Sequence, residues 1–77
     1  MRLHNPDDAV AALVREHWAS LLRSLIVFSG RVDLAEDALS NACERALGAW
    51  KKQMPAHPVA WIRRTAQRVL IDELRRE

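Results

Sequence analysis

The sequence contains few of the residues that build disulfide frameworks, metal sites or membrane spans. It has one cysteine, two glycines, three prolines and no tyrosine among 77 residues. A single cysteine excludes an internal disulfide and cannot form a thiolate metal site by itself. No apolar run approaches the ~20 residues that cross a bilayer, and the N-terminus lacks the apolar core of a signal peptide. These absences predict a small, soluble, intracellular protein and place it in the cytoplasm.

Length and charge narrow the class of protein further. A chain of 77 residues forms one domain, and it must be regular because so short a chain buries only about 60% of its unfolded surface. The net charge of +2 hides an asymmetry: residues 1–44 carry −3 and residues 45–77 carry +5. Opposite charges in the two halves indicate two partners or two faces, although solvated helix surfaces produce the same pattern.

The first of three predicted helices covers residues 6–29. Asn5 is a suitable N-cap, Pro6 suits the first helical position, and Gly30 suits a left-handed C-terminal cap. The apolar residues between them repeat at steps of three and four, as on one face of a helix. They are Val10, Leu13, Val14, Trp18, Leu21, Leu22, Leu25 and Phe28.

The second helix is predicted over residues 33–50. Asp33, followed three residues later by Glu36, has the spacing of a capping box. The apolar stripe of this helix consists mostly of small side chains, which let a neighbouring helix approach closely. Its members are Ala35, Ala38, Leu39, Ala42, Cys43, Ala46, Leu47 and Trp50.

A loop over residues 51–57 and a third helix over residues 58–76 complete the prediction. Pro55 and Pro58 exclude a helix interior between them, whereas Pro58 suits a first helical position with His57 as its cap. The predicted buried stripe is Val59, Ile62, Ala66, Val69, Leu70 and Leu74. We therefore expect an all-α fold, a compact bundle of three principal helices.

Catalysis is not predicted. The three histidines, His4, His17 and His57, have no metal-binding or paired spacing, and Cys43 lies on the apolar stripe. No serine has the glycines of a nucleophile elbow around it. The chain is therefore not expected to be an enzyme, and no metal or organic cofactor is implied.

Two polar surfaces are candidates for binding. The first combines cations with an indole and suits unpaired nucleic acid, since arginine contacts phosphates and aromatic rings stack on bases. Its members are Lys51, Lys52, Trp61, Arg64, Arg68 and Arg75. The second surface presents short acidic and polar side chains, a suitable dock for an arginine-bearing helix. Its members are Glu36, Asp37, Ser40, Asn41 and Glu44. Both also fit a simpler reading, in which the charges are only solvated and Trp61 belongs to the core.

The order of several short motifs resembles region 2 of bacterial sigma factors in the sigma-70 superfamily, in particular the extracytoplasmic-function group. The motifs are Asp33-Leu34-Ala35-Glu36-Asp37-Ala38-Leu39, Arg45-Ala46-Leu47 with Trp50, Pro58-Val59-Ala60-Trp61-Ile62, and Asp72-Glu73-Leu74-Arg75-Arg76. The resemblance extends from about residue 8 to the end of the chain. Cys43 stands where this family commonly has a large aromatic residue, so Trp18 or Phe28 would have to fill the space.

The resemblance implies two binding tasks. One surface docks on the clamp coiled coil of the largest RNA polymerase subunit, with Asp37 and Asn41 matching the docking motif and Glu36 and Ser40 beside them. The other recognises and helps melt the promoter −10 element, and the resemblance assigns this task to the loop after Trp50 and to the third helix. We expect Lys51, Lys52, Arg64 and Arg68 to contact the DNA there, with Trp61 supporting them from beneath. An anti-sigma factor is a further candidate partner, and no membrane is implied. We expect the region 4 helix-turn-helix domain of such factors to be absent from this chain.

Two other classes of function compete with this interpretation. A small helical protein-interaction module would carry the same basic residues as solvated surface, and its DNA binding would be weak and insensitive to salt. A duplex-reading helix-turn-helix domain is disfavoured because the connection over residues 51–57 is longer than the usual short turn.

Overall fold

A computed structural model describes residues 6–76 of the chain. Within them lie three α-helices: α1 (Pro6–Ser29), α2 (Val32–Lys52) and α3 (Pro58–Arg76). The helices pack as one elongated bundle of 44 × 22 × 17 Å with a radius of gyration of 12.5 Å. The all-α, three-helix prediction is confirmed. The predicted Asn5 cap lies outside the described residues.

The central helix is α2, which packs against both of its neighbours. Four of its alanines are fully inaccessible to solvent: Ala35, Ala38, Ala42 and Ala46. Because a methyl group occupies little space, alanines at these positions let the neighbouring helices pack close to α2. The largest fully buried side chains of the same core cluster are Leu25, Leu39, Ile62 and Leu70.

The connection between α1 and α2 consists of two residues, Gly30 and Arg31. Gly30 has a φ of 73°, a left-handed conformation that side chains disfavour, and its N–H donates to the Ile26 carbonyl at 2.6 Å. The Ser29 hydroxyl donates to the Leu25 carbonyl at 2.9 Å and accepts the Arg31 N–H at 3.1 Å. These bonds satisfy backbone groups at the end of α1 and fix where α2 begins.

The predicted Asp33 cap is wrong. The N-cap residue is Arg31, with extended φ and ψ of −129° and 109° and no side-chain capping bond, and its carbonyl accepts the Ala35 N–H at 3.0 Å. Asp33 lies instead in the first turn, where its carboxylate accepts two bonds from the Arg31 guanidinium at 3.2 and 3.3 Å. The turn at Ser29 and Gly30 already reverses the chain, so the helix starts earlier than a capping box at Asp33 requires.

The second helix is also longer at its end than predicted. Lys51 and Lys52 form the last turn of α2, and the loop covers residues 53–57 rather than 51–57. Lysines are good helix formers and their charges favour a helix C-terminus. The helix stops at Gln53, whose backbone is extended and whose N–H bonds to the Ala49 carbonyl at 3.2 Å. Met54 precedes Pro55, a position at which α-helical backbone is disfavoured.

One end of the predicted α1 face is not buried. Phe28 is 49% exposed and Val27 is 81% exposed, although the neighbouring Leu25 is fully buried and Ile26 packs against the core. Phe28 therefore does not fill the space beside Cys43. Trp18 packs against the core while remaining partly exposed, and Cys43 itself is buried.

The start of α3 agrees with the Pro58 prediction. The His57 carbonyl accepts the Trp61 N–H at 2.9 Å, which places His57 at the cap. The buried face includes Thr65, which the apolar stripe omits, while Val59 and Leu74 are only partly buried. The methyl group of threonine can pack against apolar side chains. The predicted stripe omitted Thr65 because it counted only apolar residue types.

Candidate interaction surfaces

The acidic surface lies on the side of α2 that faces away from the other helices. Glu36, Asp37 and Ser40 are exposed, and Asn41 is partly buried. Within residues 6–76, neither carboxylate forms an ion pair. Because they are not neutralised within the domain, Glu36 and Asp37 are available to cationic groups on another molecule.

One neighbouring carboxylate is not available in the same way. The Arg31 guanidinium, by hydrogen bonding to the Asp33 carboxylate, holds the pKa of that carboxyl below its ordinary value, and the Leu34 N–H acts in the same direction. Asp33 thus contributes to the start of α2 rather than to the binding surface.

The basic surface has parts from two helices. Lys51 and Lys52 are exposed in the last turn of α2, and Arg64 and Arg68 are exposed one turn apart on α3. Arg75 continues this stripe two turns further and is also exposed. Arg76 lies outside it and pairs with Glu73 at 3.3 Å. These cations therefore lie on the two helices that the α2–α3 loop joins, and Arg63, also exposed, is nearer the loop than Arg64.

Trp61 lies in the first turn of α3, three residues before Arg64. It is partly buried, packs against the core, and forms an edge-to-face contact with Trp50 at a centroid distance of 5.5 Å and an interplanar angle of 70°. Trp50 is 4% exposed, and its Nε1–H is buried without a hydrogen-bond partner among the described residues. Such aromatic pairs contribute about 0.5–1.5 kcal/mol beyond the area they bury. The pair fixes the end of α2 against the first turn of α3.

An open depression of about 400 Å³ lies at the start of α3. The sequence did not predict this depression. Its lining is mostly apolar, with an imidazole and a guanidinium. The residues are Ala56, His57, Pro58, Val59, Ala60 and Arg63. No periodic pattern marks it, because a loop and a helix end combine to form it. The depression adjoins the basic surface through Arg63, beside Arg64.

The described residues offer little to catalysis. Among residues 6–76, no three His, Cys, Asp or Glu side chains lie close enough together to hold a metal ion. Burial raises the pKa of the Cys43 thiol above its ordinary value, which disfavours the nucleophilic thiolate.

Of the helices the structure describes, none has the length and apolarity needed to cross a membrane.

Comparison with known proteins gives one positive result. The family model for Sigma-70 region 2 matches residues 13–77 of this chain. Searches of curated proteins and of solved structures returned no match. The family is not enzymatic, which confirms the expectation drawn from the sequence. Since the match covers most of the chain, the protein belongs to the sigma-70 region 2 family, whose members act in transcription initiation through RNA polymerase core and promoter DNA.

Proposed function

We propose that this chain is the polymerase-docking and −10-recognition domain of an alternative sigma factor of the extracytoplasmic-function group. The acidic surface binds the clamp coiled coil of the largest polymerase subunit, and the basic surface holds the non-template strand of the −10 element unpaired. The observation that carries this proposal is the separation of exposed charge. Carboxylates without ion-pair partners among residues 6–76 lie on the outer side of α2, while exposed cations lie at the end of α2 and along α3.

The docking step relies on Asp37 and Asn41, supported by Glu36 and Ser40. The exposed carboxylates attract guanidinium groups, and charge-assisted hydrogen bonds between the two are about twice as strong as neutral ones. Asn41 is partly buried, unlike its exposed neighbours. Its amide therefore hydrogen-bonds to a partner that approaches the backbone of α2 closely. The helix itself is rigid, since its inner face is packed on both sides.

The DNA-binding step relies on Lys51, Lys52, Arg64 and Arg68. These four exposed cations, at the end of α2 and along α3, neutralise several phosphates of a single strand. Trp61 supports the basic surface from below, and the exposed part of its ring offers a surface on which a base stacks. The adjoining depression has the size and apolar lining to receive an unstacked base, with Arg63 beside it.

A second candidate function is favoured by one observation at the opposite end of the bundle. Val27, Phe28 and Val32 are 81%, 49% and 54% exposed around the α1–α2 turn. Exposed apolar side chains in one place are typical of protein contacts. A protein-interaction module that does not bind DNA would use this end of the domain and leave the basic surface solvated.

Binding to oligonucleotides separates these functions. The chain is titrated with a fluorescent single-stranded oligonucleotide and with the matching duplex, at several salt concentrations. We expect preference for the single strand and an affinity that falls steeply with salt, because phosphate contacts release counterions. A preference for duplex would instead favour a helix-turn-helix domain, whereas weak binding that salt does not change would favour the interaction module.

A further inference from the structure

Gly48 is an exposed glycine inside α2 for which the fold supplies no reason. It lies five residues before the C-cap Gln53, so it does not terminate the helix. A Cβ built on it meets nothing within 4 Å, and its φ is not in the left-handed region. Gly30, by contrast, needs its φ of 73°. Glycine destabilises a helix interior relative to alanine, so the domain carries a cost at Gly48 that its own packing does not require.

The position of Gly48 on the helix indicates that contact with another molecule, and not packing within the domain, accounts for a glycine here. Asp37, Asn41, Glu44 and Gly48 follow one another at steps of four, three and four residues, the spacing of a coiled-coil seam. At 3.6 residues per turn, these positions lie within about 60° of one another around the helix axis. All four are exposed or partly buried, so this seam runs along the outer side of α2 and continues the acidic surface towards Lys52.

We propose that a helix of the polymerase clamp lies along this seam and comes closest to α2 at Gly48, where it seats a large side chain. The proposal rests on the function proposed above and adds two turns to the docking residues named there, from Asn41 through Glu44 to Gly48. The distance between packed helices is set by the side chains at their contact, so a glycine brings the partner backbone nearest. Glu44 then joins Asp37 in binding cations of that helix.

Charge favours a protein helix over nucleic acid as the occupant. Asp37 and Glu44 are exposed carboxylates on the seam, and neither forms an ion pair among residues 6–76. They repel phosphates and attract arginine or lysine. Lys52, one turn beyond Gly48, favours an acidic residue at the corresponding end of the partner. The expected partner is thus a helix with basic residues, then a large side chain, then an acidic residue.

The test adds side chains at Gly48 and, as a matched control, at the next residue. Gly48→Ala and Gly48→Gln place small and large groups on the seam. Ala49→Gln adds the same large group at another exposed position, about 100° around the helix. Each variant and the wild type are titrated with the clamp coiled-coil hairpin of bacterial RNA polymerase and with a single-stranded oligonucleotide. Thermal unfolding is followed by circular dichroism.

We expect Gly48→Gln to lose at least tenfold in affinity for the hairpin, Gly48→Ala to lose less, and Ala49→Gln to match the wild type. DNA affinity stays the same in all three. Gly48→Ala raises the unfolding midpoint by roughly 4–8 °C, since the fold does not need the glycine.

Four results would overturn the inference. Hairpin binding by Gly48→Gln at wild-type strength removes Gly48 from the interface and leaves the proposed function intact. A loss of DNA affinity with unchanged hairpin affinity would mean that nucleic acid, and not the clamp helix, occupies the space above Gly48. A lower midpoint for Gly48→Ala shows that the fold itself needs the glycine. Absence of hairpin binding by the wild type removes the proposed docking function, and this inference with it.

Discussion

Trp50 and Trp61 meet edge to face, with ring centroids 5.5 Å apart and ring planes at 70°. One ring belongs to the last turns of α2 and the other to the first turn of α3, so the pair closes the base of the loop between them. The loop over residues 53–57 is therefore anchored at both ends. Lys52 follows Trp50 by two residues and Arg64 follows Trp61 by three, so each ring lies close in sequence to a cation of the basic surface.

Truncation of Trp50 tests the importance of this pair for stability. We expect Trp50→Ala to lower the free energy of unfolding by about 3–5 kcal/mol, because a fully packed indole leaves a cavity. Trp50→Phe is expected to cost far less, since it keeps a ring in the core and removes the buried Nε1–H that has no partner. Urea denaturation measures both values. Equal losses in the two variants would show that the indole N–H forms a bond that matters.

The two glycines are expected to respond to alanine in opposite directions. Gly30→Ala forces a side chain into a left-handed conformation and is expected to cost about 1–2 kcal/mol. Gly48→Ala is expected to add about 1 kcal/mol, because its Cβ meets open space in a helix. Denaturation of the two variants beside the wild type checks this. The same sign of change in both would contradict the local backbone account.

Stability in acid depends on Asp33. Its pKa is lower in the folded chain than its ordinary value of 3.8, chiefly because of the Arg31 hydrogen bonds. The contribution of the ionised carboxylate is therefore present above pH 3.8 and is lost as the pH falls below that value towards the folded pKa. We expect Asp33→Asn to be less stable than the wild type at neutral pH and to approach it in acid. Unfolding curves from pH 2 to pH 7 measure the difference, and a gap that widens in acid would contradict this expectation.

The basic surface makes a prediction about salt. If Arg64 and Arg68 each contact a phosphate, Arg64→Ala and Arg68→Ala each reduce the slope of log affinity against log salt by about 0.7 for a single strand. Arg23→Ala, an exposed arginine on α1, serves as the control and is expected to leave the slope unchanged. Fluorescence anisotropy at four salt concentrations gives the slopes. An equal effect from all three substitutions would mean that net charge, not location, governs binding.

Local signals in the sequence were sufficient for most of the fold. Pro6, Gly30 and Pro58 set helix ends through their own backbone restrictions, so these ends match the prediction. The predicted end of α2 was wrong because no residue at Lys51 or Lys52 forbids a helix, and the real stop depends on Pro55. The predicted Asp33 cap was wrong because the Ser29–Gly30 turn, a feature of the preceding helix, decides where α2 starts.

Long-range features could not be read in the same way. The periodic face of α1 includes Phe28, but periodicity along one helix does not tell which of its positions the other helices cover, and Phe28 is half exposed. The contact between Trp50 and Trp61 and the depression at the start of α3 bring together separate segments. The acidic and basic surfaces were visible as residue types, and their roles in binding stay predictions.

The most direct test of the account is binding of the chain to the clamp coiled-coil hairpin, with Asp37→Arg as the variant. This substitution reverses one exposed charge on the acidic surface and leaves the core unchanged. Glu16→Arg makes the same change of charge at an exposed position on α1 and is the matched control. We expect the wild type and Glu16→Arg to bind alike, and Asp37→Arg to lose binding while it keeps its helicity. Equal binding by all three proteins, or no binding by the wild type at high concentration, would contradict the account.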